Sequence, residues 1–210
     1  MKRYQQIEYK LGSEAVITLV VHPMVKIDSL FLEIWQYVDD FEQRFSRFRP
    51  DSELSLFNAQ SGHNVKVSPE FTKLLQETKY YSKLTGGIFN PFILPSLQQA
   101  GYVGSWPAPD IYDSKLDLRG RKIANAEMIN LKNDLAMIPY DTALDFGGIG
   151  KGYLLNSLSH ILDKKQIHNY WLSLGGDVIC NGKDVDGKVW EIEIAKASDN
   201  KMTLAVVTNE

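Results

Sequence analysis

Cysteine is nearly absent. Cys180 stands alone among 210 residues, so no internal disulfide can form, and one thiol does not decide the redox compartment. It reads as a small buried apolar residue in preference to a nucleophile. Positive charge is not in excess either. The 23 Lys and Arg against 26 Asp and Glu leave a net charge of −3, which gives no footing for nucleic acid or an anionic membrane surface. No apolar run reaches the length of a membrane span. The first residues, Met1-Lys2-Arg3-Tyr4-Gln5-Gln6, hold no apolar signal-peptide core and no lipidation pattern. The expectation is a chain with no transmembrane segment, signal peptide or lipobox. Its compartment stays open between the cytoplasm and a processed membrane-associated or extracytoplasmic form. Four histidines, His22, His63, His160 and His168, show no metal-ligand spacing. Repeats, low-complexity tracts and linkers are missing too. With 44% hydrophobic and 23% charged residues, the composition is that of a globular chain, expected to form one domain over residues 1–210.

What the sequence does have is a concentrated run of glycine. Asp145-Phe146-Gly147-Gly148-Ile149-Gly150-Lys151-Gly152-Tyr153 carries four glycines in nine residues, a carboxylate in front and a lysine behind. Leu154, Leu155, Leu158, Ile161 and Leu162 follow at helical spacing, so the run reads as a loop opening into an amphipathic helix. Glycine lets backbone N–H groups approach a ligand closely, and a helix N-terminus adds free donors and partial positive charge. With Lys151 this is a sensible cradle for a phosphate or pyrophosphate. A tight turn with a solvent-facing lysine accounts for the same residues. It is not a Walker A loop, because Asp145 stands in place of the first glycine and Gly152 in place of Ser or Thr. The fixed spacing of the dinucleotide fingerprint is not met either.

Along the chain, Ala15 to Val21 is rich in β-branched residues and reads as a buried strand, preceded by a turn at Leu11-Gly12-Ser13. Phe31, Ile34, Trp35, Val38, Phe41 and Phe45 recur at steps of three and four, which predicts a helix over 27–45 with an aromatic core stripe. Pro50 cannot continue it, and Asp51 and Ser52 favour a turn or a new N-cap. Arg47 and Arg49 around Phe48 could grip a charged aromatic ligand or lie in a surface loop. Ser68-Pro69-Glu70 is a helix start, and Gly86-Gly87 its stop. The segment 98–113 reads as loop. Two short apolar runs around Lys132-Asn133-Asp134 predict a hairpin. Tyr170 to Cys180 reads as two strands interrupted by Gly175-Gly176-Asp177, where the glycines suggest a bulge or a close backbone approach. Val189–Ala195 and Met202–Val207 read as further strands. Helices mixed with antiparallel-looking strands predict the α+β class.

Four of these segments together resemble a known family. Arg49-Pro50-Asp51-Ser52-Glu53-Leu54-Ser55 with Asn58, Thr85-Gly86-Gly87-Ile88-Phe89-Asn90-Pro91, the glycine run Asp145–Tyr153, and Leu174-Gly175-Gly176-Asp177 occur in the order seen in the ApbE family. These are the FAD:protein FMN transferases, also labelled thiamine biosynthesis lipoproteins. Leu11-Gly12-Ser13 is loosely similar to the Met-Gly-Thr near the start of that family's catalytic domain. The resemblance runs through nearly all 210 residues. It implies a T-fold-like α+β domain that binds FAD and Mg²⁺ and cleaves the FAD pyrophosphate. FMN then passes to a Thr or Ser hydroxyl of an acceptor flavoprotein, with release of AMP. Some members mainly hydrolyse FAD.

The resemblance also implies site residues. Asp145 and Lys151 would contact FAD, and the Gly148 carbonyl would be a Mg²⁺ ligand. Ile88, Phe89 and Asn90 would line the flavin nucleotide, with Phe48 and Leu11 as weaker candidates. Asp177 would sit beside the nucleotide as the catalytic candidate, or else cap backbone N–H groups of its turn. Arg49 and Glu53 would pair to shape their loop. Asn90 departs from the usual Asp of the family, and Gly150 from the usual Ala. Family members continue past this point with a Thr-Ser-Gly turn, a His-Ile-x-x-Pro motif, and an Asp and Thr that complete the Mg²⁺ site. The expectation is a chain lacking that carboxy-terminal part. The alternatives are then an FAD-binding module, or an FAD pyrophosphatase without transfer.

Overall fold

The computed structural model describes residues 1–102, 104, 124–196 and 199–208. In chain order its elements are strands β1 (Lys2–Lys10) and β2 (Ser13–Val21), helices α1 (Ile27–Phe45) and α2 (Glu53–Asn58), strand β3 (Val65–Lys66), and helices α3 (Pro69–Leu84) and α4 (Leu94–Gln99). Strands β4 (Asn130–Lys132) and β5 (Leu135–Met137), helix α5 (Gly150–Lys164), and strands β6 (Tyr170–Leu174), β7 (Asp177–Asn181), β8 (Glu191–Lys196) and β9 (Asp199–Thr208) follow. Among the described residues every strand pairing is antiparallel, so the α+β class holds. The chain divides into two compact units: Met1–Val38 with the chain from Leu154 on, and Asp39–Tyr153.

The first unit is built on a sheet of order β1-β2-β6-β7. The β-branched run places β2 in its interior, and every residue from Ala15 to Val21 is buried. Strand β1 was not legible as a strand. Its residues are mostly polar, with Ile7 and Tyr9 exposed. Pairing along the whole of β2, from Lys2 opposite Val21 to Lys10 opposite Ser13, overrides that weak pattern. The Trp35 indole N–H donates to Gln6 Oε1 at 2.6 Å. The Gly175-Gly176 interruption is not a bulge. It is a two-residue hairpin turn with φ of 59° and 94°, the left-handed pair that matches strand twist and that glycine adopts without penalty. Cys180, on β7, is half-buried rather than fully buried, and this burial raises its thiol pKa. Strands β8 and β9 form a ribbon, Glu191 opposite Thr208, close to where sequence predicts them.

The second unit is organised by an aromatic cluster. Phe45 lies 5.7 Å from Phe71 and 6.0 Å from Phe146, and Phe71 lies 5.2 Å from Phe57 and 5.7 Å from Phe146. The helical stripe of α1 therefore ends on Phe146, a residue of the glycine run. Helix α3 begins as its sequence dictates: Ser68 Oγ accepts the Phe71 N–H at 3.2 Å and Pro69 takes the first helical position. Glu53 corrects an expectation. It pairs with Arg44 at 3.4 Å and accepts the Ser68 N–H at 2.6 Å, whereas Arg49 pairs with Asp51 at 3.8 Å. Arg44, in the last turn of α1, points at two acids, Glu53 and Glu70. The predicted hairpin forms, with Asn130 opposite Met137, and β3 joins it in the order β3-β5-β4. Helix α4 takes Gln98 and Gln99 from the segment read as loop, and most of 103–113 lies outside the described residues.

Candidate functional site

The glycine run is fixed at its front end by three separate segments of the second unit. Asn58, at the end of α2, meets Leu144 with both ends of its amide. Its Nδ2 donates to the Leu144 carbonyl at 2.9 Å, and its Oδ1 accepts the Leu144 N–H at 2.8 Å. This copies the pairing of a neighbouring strand with one side chain. The Asp145 N–H then donates to the Pro91 carbonyl at 2.8 Å, which ties in the Thr85–Pro91 loop. The Asp145 carboxylate faces Arg47, with Oδ2 at 2.7 Å from Nε, and these two side chains are only 10% and 7% exposed. Its other oxygen accepts the Gly147 N–H at 2.7 Å.

Arg47 is enclosed as fully as Asp145. Its guanidinium lies 4.1 Å from the Phe48 ring centroid and 4.5 Å from that of Tyr102, and Nη2 donates to the Tyr102 carbonyl at 3.1 Å. Planar, delocalised charge suits such stacking. The Arg-Phe-Arg stretch therefore does not offer Arg47 to a ligand. Phe48 is partly exposed and touches Tyr102 edge-on at 5.9 Å.

Beyond Asp145 the run turns tightly into α5. Both the Ile149 and the Gly150 N–H reach the Phe146 carbonyl, at 3.0 and 2.6 Å. The Gly148 N–H has no hydrogen-bond partner among the described residues, and the first turn of α5 presents donors with no intrahelical carbonyl. The Lys151 ammonium likewise has no ion-pair or hydrogen-bond partner among them. Gly148 lies close to Phe89: a Cβ there would stand 3.3 Å from the ring, which would have to shift by a few tenths of an ångström. That ring thus lies against the backbone of the glycine run.

Phe89 is held in place by local chemistry. Gly86 and Gly87, at φ of 63° and 84°, reverse the chain after α3, and Thr85 Oγ1 accepts the Phe89 N–H at 3.1 Å. Ile88, at the tip, is 91% exposed. Asn90 is extended, as the following proline requires. Its Oδ1 accepts the Phe92 N–H at 3.1 Å and its Nδ2 donates to the Ala124 carbonyl at 2.9 Å. Phe48, Phe89, Asp145, Gly148 and Lys151 are thus brought together in one unit, with Ile88 and Asn90 on the same loop as Phe89.

Leu11 and Asp177 belong to the first unit, where they too are neighbours in the fold. Leu11 and Gly12, at φ of 53° and 70°, turn β1 into β2. The Gly175 N–H donates to the Glu14 carbonyl at 2.9 Å, which sets the two hairpin turns side by side at one end of the sheet. A leucine with positive φ is a backbone outlier. Asp177 is exposed, and its carboxylate makes no hydrogen bond among the described residues, so it does not cap its turn. Among those residues no group of three or more His, Cys, Asp and Glu side chains could hold a metal ion, and no helix is long and apolar enough to cross a membrane. Sequence reasoning quoted Asn58 and Arg47 but gave neither a partner. The amide of Asn58 and the charge of Arg47 between aromatics were the available signals.

Comparison with known proteins places these loops in context. A sequence model of the ApbE family matches residues 11–210. The FAD:protein FMN transferase of Haemophilus influenzae is 27% identical over 172 residues, covering 78% of this chain and 49% of the relative. That of Vibrio cholerae is 28% identical over 173 residues, covering 81% and 52%. The chain spans about half the length of the curated relatives it matches. Among solved structures, the flavin transferase ApbE from Vibrio cholerae superposes with a TM-score of 0.81 at 23% identity, over 99% of this chain and 67% of the other. The ApbE protein from Thermotoga maritima gives 0.83 at 20% identity, again over 99% and 67%. At these identities the likeness concerns the fold.

Proposed function

We propose, from the premise that this chain belongs to the ApbE family, that it holds FAD for a flavin transferase reaction. In that reaction the FAD pyrophosphate is cleaved, FMN passes to a Thr or Ser hydroxyl of an acceptor protein, and AMP leaves. One observation carries the reading. A glycine run is locked at Leu144 and Asp145 by three separate segments, yet leaves the Gly148 N–H and the Lys151 ammonium unpartnered among the described residues. Phosphoryl transfer asks its protein for alignment and charge stabilisation more than for covalent help. Fixed backbone donors and a free cation supply both to pyrophosphate oxygens. The Phe89 ring, set against Gly148, offers a flat apolar wall beside them, with Ile88, Asn90 and Phe48 further along the same unit.

Within the first unit, taken by itself, Leu11 and Asp177 are the residues we propose to take part. Asp177 is the catalytic candidate, since an exposed, unengaged carboxylate is free to accept the acceptor's hydroxyl proton. Mg²⁺ is a poorer fit to the residues in hand. The Gly148 carbonyl is one neutral oxygen, both Asp145 oxygens are engaged, and a Mg²⁺ site ordinarily draws on one or two carboxylates. The described residues do not by themselves make such a site, and no step here runs through the ion. The engagement of both Asp145 oxygens within the protein favours a second reading: a module that binds FAD, or hydrolyses it, without transfer.

Equilibrium dialysis of FAD against the chain and its Lys151→Ala variant, with and without Mg²⁺, tests the proposal. Saturable binding that weakens about 10- to 100-fold in the variant is expected, the worth of one charge-assisted contact. Absence of saturable binding in both conditions refutes the assignment of the nucleotide to these residues. Release of AMP from FAD, and FMN on an added acceptor, separate hydrolysis from transfer.

A further inference from the structure

Resting on the reading of the glycine run as a phosphate cradle, we infer that Arg47 is a positioning residue of that cradle, acting through Asp145 and never touching the ligand. An arginine beside a proposed anion site is usually taken for a ligand contact. The geometry here is opposed to that. Arg47 Nε is spent on Asp145 Oδ2 at 2.7 Å and Nη2 on the Tyr102 carbonyl at 3.1 Å. Phe48 and Tyr102 both stack on its guanidinium, and the side chain is 7% exposed.

Its work is electrostatic and geometric together. Asp145 stands three residues before Gly148, whose N–H is unpartnered among the described residues. A bare carboxylate there would repel a polyanion across a low-dielectric site. Arg47 cancels that charge without offering charge of its own to the ligand. It also fixes the rotation of the carboxylate, so that Oδ1 accepts the Gly147 N–H at 2.7 Å and sets the bend leading to Gly148 and Lys151. Removing one member of a buried pair leaves the other uncompensated, which is where its effect on binding arises.

The test uses the whole chain with Arg47→Met, Arg47→Lys and an Arg47→Met/Asp145→Asn double variant. Methionine keeps the length between the two rings and loses the charge. The asparagine can still accept the Gly147 N–H but carries no charge. Amide exchange at Gly147 is read against that at Val67, whose N–H bonds to the Asp134 carbonyl in the same unit. Arg47→Met is expected to speed Gly147 exchange about tenfold or more with Val67 unchanged, and to weaken FAD binding about 10- to 100-fold. Arg47→Lys falls between. The double variant recovers most of the lost affinity, which loss of packing alone cannot produce. Unchanged Gly147 exchange, or a double variant that binds no better than Arg47→Met, overturns the inference. If the unaltered chain binds no FAD, the functional reading fails, while Gly147 exchange still decides the role of Arg47.

Discussion

Asn58 carries the most quantitative prediction. Its amide makes two hydrogen bonds to the backbone of Leu144, a fully buried residue, at 2.9 and 2.8 Å. Asn58→Ala deletes both partners at once. Each lost bond is worth about 0.5–1.5 kcal/mol net, and a buried backbone group left without a partner costs about 1–3 kcal/mol. Water entering the space left by the amide recovers part of this, so the expected destabilisation is about 2–4 kcal/mol. For a chain of this size that is a fall in melting temperature of about 4–16 °C. Asn58→Asp separates the two bonds. It keeps volume and can accept the Leu144 N–H, but sets an acceptor against the Leu144 carbonyl, so it should cost about 1–3 kcal/mol. The assay is urea unfolding followed by Phe and Trp fluorescence and by far-UV dichroism, since two compact units can unfold separately. A loss below about 0.5 kcal/mol for Asn58→Ala would show that Leu144 finds other partners and that the clamp does not hold the glycine run.

Other outcomes follow from single groups. Thr78 Oγ1 is buried without a hydrogen-bond partner among the described residues, so Thr78→Val should be neutral or stabilise by about 1 kcal/mol, read from the urea midpoint. Burial raises the pKa of Tyr170 above its ordinary 10.0, although the Ser159 hydroxyl at 2.6 Å opposes the shift. The folded state therefore holds that proton longer than the unfolded state. Stability is unaffected below the unfolded pKa and falls as pH rises from there through the folded value; Tyr170→Phe should flatten this alkaline slope. Burial likewise raises the Cys180 thiol, so alkylation near neutral pH should be slower than that of a free thiol and should gain rate only in alkali.

How much of this was legible follows from what each residue asks of its neighbours. Helix α1 was readable end to end because its apolar stripe repeats at a fixed helical spacing over 19 residues. The start of α3 was readable because Ser68, Pro69 and Glu70 act within one turn. Strand β1 was not, because its pairing partner lies in the next strand and its own pattern is polar. The same division runs through the site. The glycine run, the Gly-Gly turn before Phe89 and the Gly175-Gly176 turn are local signals. The Arg47–Asp145 pair spans 98 positions and the Asn58–Leu144 clamp 86, and no local spacing announces either. Arg44, and not Arg49, answers Glu53 for the same reason: the helix end aims it there, and neighbours in sequence do not decide it.

Asn90 shows where such a division matters for function. The resemblance to the ApbE family implies Asp at this position, which invites the view that a nucleotide contact has been lost. The structure gives asparagine a task of its own. The Phe92 N–H requires an acceptor and the Ala124 carbonyl requires a donor, and the Asn90 amide supplies both where a carboxylate supplies only the acceptor. Asn90→Asp should keep the first bond, strengthened by charge, and replace the second with a repulsion. A net loss of about 1–2 kcal/mol is expected, measured by urea unfolding alongside FAD dialysis. Stability that rises in the variant would refute the bridging role. Stability that falls while FAD affinity rises would show the fold and the nucleotide making different demands on one position.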